Sequence, residues 1–367
     1  GVMGAAAAYA LARRGARVTL FEQFAFGHHH GSSHGATRLF RTAYFEHPDY
    51  VPLLRRAAEG WRALERGSGE TLFIPCGVLM AGNAASGLMA GTRNAAEIHG
   101  LRLDDLTAAE TAARFPWLSL GPGMEAMIEP DAGFVYADRA RMAFLKGAET
   151  AGAKIHYETP VRGVHVSGAR VELITAHGKL FFDRVVAAPG AYASEILGHI
   201  GARVSPLRKA LFWTSPGDER ATLAGGFLPF AVEEDDGRFF YGFPAVDADG
   251  VKIGEHTGGA PLADARDSAD DYAAQSRRDL EAFLRRRAPS LSPVITKEQS
   301  CLYEISPDRH FIIDRHPEDG RIAFAIGHSG HGFKFAPVVG EALADLVTAG
   351  ETAPEFDFLS LARFDAD

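Results

Sequence analysis

The sequence has few cysteines, no long apolar run and no excess of basic residues. Its 367 residues include two cysteines, Cys76 and Cys301, which is too few for a disulfide framework and typical of a reducing cytoplasm. No stretch reaches the roughly 18 consecutive apolar residues that predict a membrane-spanning helix, and the first residues lack the charged region and cleavage site of a secretion signal. The net charge of −9 disfavours a nucleic-acid partner, because phosphate binding requires a basic face. We therefore expect a cytoplasmic protein with neither a membrane nor a nucleic acid as partner.

The composition is that of a globular protein. Hydrophobic residues make up 46% of the chain and charged residues 23%, and no stretch is of low complexity. The chain is longer than one hydrophobic core usually serves, so we expect two domains that share an interface.

The N-terminal segment matches the second half of a βαβ dinucleotide-binding unit. An alanine-rich helix ends before Gly15, an apolar strand follows at 18–21, and Glu22 comes directly after it. Gly1 and Gly4 correspond to the second and third glycines of the fingerprint G-x-G-x-x-G. In that fingerprint the second glycine admits a pyrophosphate, the third lets the helix pack closely on a strand, and the acid binds a ribose. The alternative is a βαβ unit that binds no nucleotide. The first strand and first glycine of the unit are absent from the sequence, which predicts a weaker sheet and weaker cofactor binding.

A series of short motifs follows along the chain. They are Gly31-Ser-Ser-His34-Gly-Ala-Thr-Arg38-Leu-Phe-Arg41, Tyr241-Gly-Phe-Pro244, Val251-Lys252-Ile-Gly-Glu-His256, Cys301-Leu-Tyr303, His310-Phe-Ile-Ile-Asp314 and Gly330-His-Gly-Phe-Lys334-Phe335. In this order and spacing the motifs resemble the family of monomeric sarcosine oxidase, N-methyltryptophan oxidase and pipecolate oxidase. The resemblance covers almost the whole chain, and so many separate matches are far more specific than any single motif.

The resemblance implies a two-domain α/β flavoprotein (α+β overall) whose fold is like that of D-amino-acid oxidases. A Rossmann-like FAD-binding domain with a parallel sheet is expected from residues 1–70, 142–204 and 301–367. A substrate domain with a mostly antiparallel sheet is expected from residues 71–141 and 205–300. The resemblance also implies a monomer. The residue patterns themselves predict strands at 154–157, 171–174 and 184–190 and a helix at 337–347.

FAD is the cofactor that the resemblance implies, joined through the Cys301 sulfur to the flavin 8α-methyl group. Without the motif, a single cysteine is more often a buried structural residue, and Cys76 is expected in the core. Val161 would offer backbone groups to the adenine, and His34 and Arg38 would pack around the flavin ring. The expected cofactor contacts are Gly1, Gly4, Glu22, His34, Arg38, Val161, Gly190, Cys301, Gly330, Gly332 and Lys334.

Two cations are expected to bind the substrate carboxylate. Arg41 and Lys334 match the carboxylate-binding positions of the sarcosine-oxidising members of the family, and the planar fork of arginine pairs with two carboxylate oxygens at once. Most arginines and lysines are instead solvated surface charges. Lys334 differs because it lies in the apolar segment Gly-Phe-Lys-Phe-Ala-Pro-Val-Val, where an unpaired charge would be costly.

Four residues are expected to act in catalysis, namely Lys252, His256, Tyr303 and Arg38. Lys252 matches the oxygen-activating lysine of the family, whose charge would favour the superoxide-like charge that forms as O2 accepts an electron. In a strand at 251–256, Lys252 and His256 share one face and would point into the same cavity. The resemblance places Tyr303 and His256 beside the substrate, and Arg38 would keep the potential near the flavin positive. For His256 the alternative is a hydrogen-bonded structural histidine.

The expected reaction is oxidation of the C–N bond of a small secondary amino acid by FAD and O2, which yields hydrogen peroxide, an aldehyde and an amine. One alternative is a dehydrogenase that passes electrons to another acceptor, and a second is an oxidase of a cyclic imino acid such as pipecolate. A third, of another class, is a non-catalytic relic that binds an amino acid but no flavin.

The substrate stays open because two motifs disagree. Ser33-His34-Gly35-Ala36 departs from the His-His-Gly-Asp of many sarcosine oxidases and is nearer to pipecolate-oxidising relatives, whereas Gly258 and Gly259 are nearer to N-methyltryptophan oxidase. We expect no metal site, because three adjacent histidines such as those at 28–30 rarely point at one ion.

Overall fold

The computed structural model describes residues 1–215, 217, 219–268 and 270–364. The described residues form eight α-helices and five β-sheets. Within these ranges, no helix is long and apolar enough to cross a membrane. The helices are Val2–Arg13 (α1), Tyr50–Ser68 (α2), Gly87–His99 (α3), Ala108–Arg114 (α4), Ala137–Thr150 (α5), Ala193–Gly201 (α6), Asp270–Arg287 (α7) and Ala336–Thr348 (α8).

The strands are spread along the whole described chain. In order they are Thr19–Phe21 (β1), Thr37–Phe40 (β2), Phe73–Ile74 (β3), Val78–Asn83 (β4), Asp104–Leu106 (β5), Met124–Glu129 (β6), Gly133–Tyr136 (β7), Lys154–His156 (β8), Val161–Ser167 (β9), Arg170–Thr175 (β10), Gly178–Phe182 (β11), Val185–Ala187 (β12), Ser205–Thr214 (β13), Phe230–Glu233 (β14), Phe239–Phe243 (β15), Val251–Glu255 (β16), Ala260–Pro261 (β17), Ile295–Ile305 (β18), Ile312–His316 (β19) and Asp319–Ile326 (β20).

The parallel part of the fold consists of two small sheets. Strand β1 pairs with β8, and β12 pairs with β20, which also pairs antiparallel with β19. Among the described residues β1 has β8 as its only partner and β12 has β20 as its only partner. Three short antiparallel strands, β9 to β11, and the β2-β7-β3 sheet complete this side of the molecule.

Helix α1 packs against α5 and α8 through a row of small side chains, because alanine favours helix and lets neighbouring helices approach. At the contact with α8, a Cβ on Gly340 would lie 2.6 Å from the backbone of Ala6, so this approach requires glycine. A Cβ on Gly4 would lie 4.0 Å from the Ala188 Cβ, which is an ordinary contact. Packing of the helix on the strand therefore does not require glycine at position 4, contrary to the prediction. Gly15 has φ of +85° and follows the helix end as predicted.

The largest sheet has nine strands in the order β17-β13-β16-β15-β14-β4-β6-β5, with β18 paired to β13. Its pairs are antiparallel except for β4 with β14. One face packs on α7, where the rings of Phe240 and Phe283 stack with centroids 4.3 Å apart. On the opposite face of β13 and β18, Leu211, Cys301 and Tyr303 belong to one buried cluster.

The fold class predicted from the sequence is confirmed, since small parallel sheets lie beside a large, mostly antiparallel one. The strands predicted at 154–157, 171–174 and 184–190 are β8, β10 and β12, and the helix predicted at 337–347 is α8. The division of the chain into two domains stays a proposal. Its boundary after residue 300 falls inside β18.

Candidate active site

One cavity of about 850 Å³ runs between the parallel sheets and the largest sheet. Its volume lies in the range of about 300–1,000 Å³ that is typical of small-molecule and cofactor sites. The wall includes every predicted site residue except Lys252. These residues are Gly1, Gly4, Glu22, His34, Arg38, Arg41, Val161, Gly190, His256, Cys301, Tyr303, Gly330, Gly332 and Lys334.

One end of the cavity has the groups that a dinucleotide requires. The first turn of α1, from Gly1 to Gly4, forms part of the wall, and the free N–H groups of a helix N-terminus bind phosphate. Glu22 lies at the end of β1, where its Oε1 accepts a hydrogen bond from the Phe24 N–H at 3.1 Å. Val161, the first residue of β9, lines the same end. The arrangement suits a pyrophosphate on the helix and a ribose on the carboxylate.

Arg38 is held by backbone oxygens in the middle of the cavity. Its Nη2 donates to the carbonyls of Ser32 at 2.9 Å and His34 at 2.6 Å, and its Nη1 donates to Thr37 at 2.8 Å. His34 is 1% exposed, and both of its ring nitrogens lack a partner. Burial, with a further contribution from Arg38, lowers the pKa of His34 to about 3. The fixed positive charge here is therefore that of Arg38, beside a neutral imidazole.

Lys252 lies behind Arg38 rather than on the cavity wall. Its Nζ donates to the Thr37 carbonyl at 2.9 Å, the same oxygen that Arg38 binds. A Cβ on Gly35 would lie 3.6 Å from Arg38 Nη1 and 3.9 Å from Lys252 Nζ, so the two cations lie close together. Burial, reinforced by Arg38, lowers the pKa of Lys252 well below its usual value. The predicted alternation along β16 is present, but only His256 reaches the cavity.

Arg41 and Lys334 form a cationic end opposite the nucleotide end. Arg41 is 3% exposed. Its Nη2 donates to Glu46 Oε1 at 3.1 Å, while its Nε and Nη1 have no partner. Lys334 Nζ donates to Tyr44 Oη at 3.1 Å and to the His331 carbonyl at 2.8 Å. Burial lowers the pKa of Lys334 to about 7, with Glu46 opposing and Arg41 adding to the shift.

His256 and Tyr303 lie next to this cationic end. Tyr303 Oη is 3.4 Å from His256 Nδ1. Burial lowers the pKa of His256 well below its usual value and raises the pKa of Tyr303 well above it, so both side chains are neutral. A Cβ on Gly330 would lie 2.1 Å from the Tyr303 ring, and Gly330 has φ of +81°, so only glycine fits beneath this tyrosine.

Cys301 lies two residues before Tyr303, on the same face of β18. Its thiol is buried, with 4% of the residue exposed, and burial raises its pKa although Arg38 and Lys252 oppose the shift. Both cysteines of the chain are free. Cys76, which we expected in the core, is half-buried, and burial raises its pKa to about 12.

The family follows from comparison with known proteins. Residues 1–346 match the family model described as DAO: FAD dependent oxidoreductase. The chain belongs to the DAO family. Monomeric sarcosine oxidase from Bacillus sp. (strain NS-129) is 33% identical over 368 residues, which cover 99% of this chain and 95% of that one. N-methyl-L-tryptophan oxidase from Yersinia pestis (strain Pestoides F) is 33% identical over 366 residues, which cover 99% and 97%.

The fold of this DAO family member is also found among solved structures. The open form of NikD, an unusual amino acid oxidase essential for nikkomycin biosynthesis, superposes with a TM-score of 0.86. The superposition covers 98% of this chain and 95% of NikD at 24% identity. The predicted FAD dependence and the predicted enzyme class, an oxidoreductase, are thereby confirmed.

The residues present fit FAD. The cavity offers a helix N-terminus and an acid at one end and buried cations in the middle. Several buried polar atoms on its wall lack any partner, among them those of His34 and Arg41. Buried polar groups are rarely left unpaired, so these atoms mark places where a bound molecule completes the hydrogen bonding.

Four further residues of this DAO family member were not predicted. Tyr44 Oη is 2.7 Å from His331 Nδ1, so both position Lys334. Glu129 is 2% exposed and accepts from the backbone N–H groups of residues 42 and 43, at 2.7 and 2.9 Å, which holds the segment that follows Arg41. Glu46 is the partner of Arg41. Tyr44 and His331 lie in or beside the motifs, but the two glutamates carry no local sequence signal.

The histidines at 28–30 do not form a cluster around one point. His28 Nε2 is 3.5 Å from Glu22 Oε2, whereas His29 Nδ1 is 3.0 Å from Gln299 Nε2. In the part of the chain that the structure describes, no group of three or more His, Cys, Asp or Glu side chains is placed to hold a metal ion.

Proposed function

We propose that this flavoenzyme oxidises the C–N bond of a small secondary amino acid, such as an N-methyl amino acid, with O2 as the electron acceptor. The observation that carries the proposal is the unfilled fork of Arg41, two buried N–H-bearing atoms without a partner beside Lys334. A carboxylate is the group that such a fork binds. The relatives are named sarcosine oxidase and N-methyl-L-tryptophan oxidase, which supports a substrate that is an amino acid with a secondary amine.

Each residue of the site has a role in this reaction. FAD, when bound, would accept a hydride equivalent, two electrons and a proton, from the carbon next to the amine nitrogen, so that the C–N bond becomes a C=N bond. Arg41 and Lys334 hold the carboxylate, while the neutral His256 and Tyr303 face the amine without adding a charge that would repel its protonated form or compete for the carboxylate. Arg38 and Lys252 supply positive potential where negative charge develops. Water then hydrolyses the C=N bond to an aldehyde and an amine, and O2 takes up the two electrons and two protons to become hydrogen peroxide. A cyclic substrate would keep its two fragments joined.

We propose a covalent link between FAD and Cys301. Support comes from the position of the thiol on the cavity wall and from the nearby cations Arg38 and Lys252, which favour its thiolate. We further propose a cytoplasmic monomer, since both cysteines are free and the sarcosine oxidase relatives are named as monomeric enzymes.

The covalent link is tested by acid precipitation. We expect the yellow colour of the purified protein to stay with the precipitate, and the colour of Cys301→Ser to pass quantitatively into the supernatant because no sulfur is left to hold it. Cys76→Ser is the matched control and should behave as the parent does. Colour lost from the parent protein would refute the link, and a colourless protein even after FAD is supplied would refute the flavoenzyme.

Carboxylate binding should depend on pH through Lys334. Its pKa of about 7 means that the cation predominates below pH 7 and is progressively lost above it. The Kd of a small carboxylate such as acetate should therefore rise by up to about tenfold per pH unit above pH 7. Burial raises the pKa of Glu46, but several groups led by Arg41 together lower it below its usual value, and His256 and His331 stay neutral. The rise should disappear in Lys334→Met, and its persistence there would assign it to another group.

The activity is tested by peroxide release from sarcosine, N-methyltryptophan and pipecolate. Peroxide with any of these supports the oxidase and identifies the size of its substrate. Reduction of the flavin by substrate without reaction with O2 would instead show a dehydrogenase. Binding of an amino acid without any reduction of added FAD would show a non-catalytic protein.

A further inference from the structure

A second buried polar pair lies on the cavity wall, away from the carboxylate end. Glu304 and His328 are 5% and 8% exposed, and their Oε1 and Nδ1 atoms are 2.5 Å apart. Because a carboxylate only accepts hydrogen bonds, Nδ1 is the donor. The His328 backbone N–H also points at Oε1, at 3.4 Å, and the His328 ring packs on Phe311 with centroids 5.1 Å apart.

Each member of this pair keeps one atom without a partner. Glu304 Oε2 and His328 Nε2 are both buried and make no hydrogen bond, although both residues line the cavity. An unpaired buried polar atom costs more than an ordinary hydrogen bond contributes, and two side by side are rare in native proteins. The free atoms therefore mark a place where a ligand supplies hydrogen-bond donors.

The Glu304–His328 pair lies between the nucleotide end and the cationic end of the cavity. Glu304 Oε2 is 3.9 Å from the place of a Cβ on Gly190, a residue of the cavity wall next to β12. Along β18, Glu304 alternates with Cys301 and Tyr303, so its side chain faces away from theirs. The pair thus meets a part of the cofactor other than the part that Cys301 and Tyr303 would contact.

The chemistry of the two free atoms selects one part of FAD. The second oxygen of the Glu304 carboxylate accepts, and a hydroxyl group can donate to that oxygen and can also bond to Nε2, so hydroxyl groups suit both free atoms. The pyrophosphate offers only acceptors, and the ribose is the part of FAD expected at Glu22. We propose that Glu304 and His328 bind the ribityl hydroxyl groups of FAD, a role that rests on the proposed function because it requires FAD in this cavity.

The test compares FAD with ADP, which carries the ribose and pyrophosphate but no ribityl chain. Cys301→Ser serves as the full-length background so that binding is reversible, with FAD measured by flavin fluorescence and ADP by competition. The double variant Glu304→Leu/His328→Phe removes both polar groups together, so no buried charge is left unpaired. Glu234→Gln is the control, since Glu234 is also buried but pairs with Arg287 Nη2 at 3.0 Å outside the cavity.

We expect the double variant to weaken FAD binding by about tenfold or more, because two hydrogen bonds are lost, and to leave the Kd for ADP unchanged. The control should bind both ligands as the background does. Unchanged FAD binding in the double variant would overturn the assignment, and so would an equal loss for FAD and ADP, which would indicate a pyrophosphate contact or general damage. If the background protein binds ADP but not FAD, both this assignment and the proposed function are wrong.

Discussion

Replacement of Arg41 by methionine should lower kcat/KM for the amino acid by about 100-fold or more. The side chain is buried and its Nε and Nη1 atoms have no partner in the protein, so we expect them to bind the substrate carboxylate directly. Removing one member of a buried, hydrogen-bonded charge pair costs about 2–5 kcal/mol, which corresponds to losses on this scale. The measurement is steady-state peroxide release at varied substrate concentration.

Two further variants separate binding from damage to the site. Arg41→Met leaves Glu46 buried without its cation, so Arg41→Met/Glu46→Gln tests whether the loss comes from that unpaired carboxylate; we expect the loss to remain. Arg41→Lys keeps the charge but not the fork and should fall between the parent and Arg41→Met. A substrate amine without a carboxylate should be oxidised equally by parent and variant. If Arg41→Met lowers the rates with both substrates alike, the carboxylate role is wrong.

Replacement of Lys252 by methionine should slow the reaction of the reduced enzyme with O2 by about 100- to 1,000-fold, the usual effect of removing one preorganised charge or donor from a transition state. Burial and Arg38 lower the pKa of this lysine, and negative charge that develops in the cavity next to Arg38 would raise it, because a nearby opposite charge favours the ammonium form. Anaerobic reduction by substrate should change little, because Lys252 is not among the residues proposed to hold the substrate. Stopped-flow absorbance separates the two half-reactions.

Lys209 provides the matched control for this experiment. It is 1% exposed, lies in β13 of the same sheet, and burial lowers its pKa to about 8. Its Nζ donates to the Thr257 carbonyl rather than to Thr37. Lys209→Met should therefore leave the oxygen reaction within a few-fold of the parent rate. An equal effect of both lysines would indicate a general loss of structure, and no effect of Lys252→Met would favour a dehydrogenase.

Local patterns in the sequence predicted the elements whose residues are neighbours in the chain. The alanine-rich α1, its end at Gly15 and the short strands β8, β10 and β12 each follow from periodicity or from one special residue. The pairing of β13 with β18 joins residues far apart in sequence, and no local pattern carries that register. Alternation along β16 gave the faces of Lys252 and His256 correctly, but it could not show that Lys252 stops behind Arg38.

Partners within the site were harder to predict than the site itself. The motifs brought Arg41, Lys334 and His256 to one cavity because their spacing is shared with a known family. Glu46 and Glu304 have no such signal, since a glutamate is most often a solvated surface residue. Only the three-dimensional structure shows that Glu46 pairs with Arg41 and that Glu304 meets His328, 24 residues further along the chain.

The pairing of β18 has a consequence for how the molecule can move. Cys301 lies opposite Lys209 in β13, inside the largest sheet, whereas the nucleotide end of the cavity is formed by α1, β1 and β9. With FAD attached at Cys301 as proposed, a single covalent path would run from that sheet to the groups that hold the nucleotide. A hinge that opened the cavity along its length would strain this path.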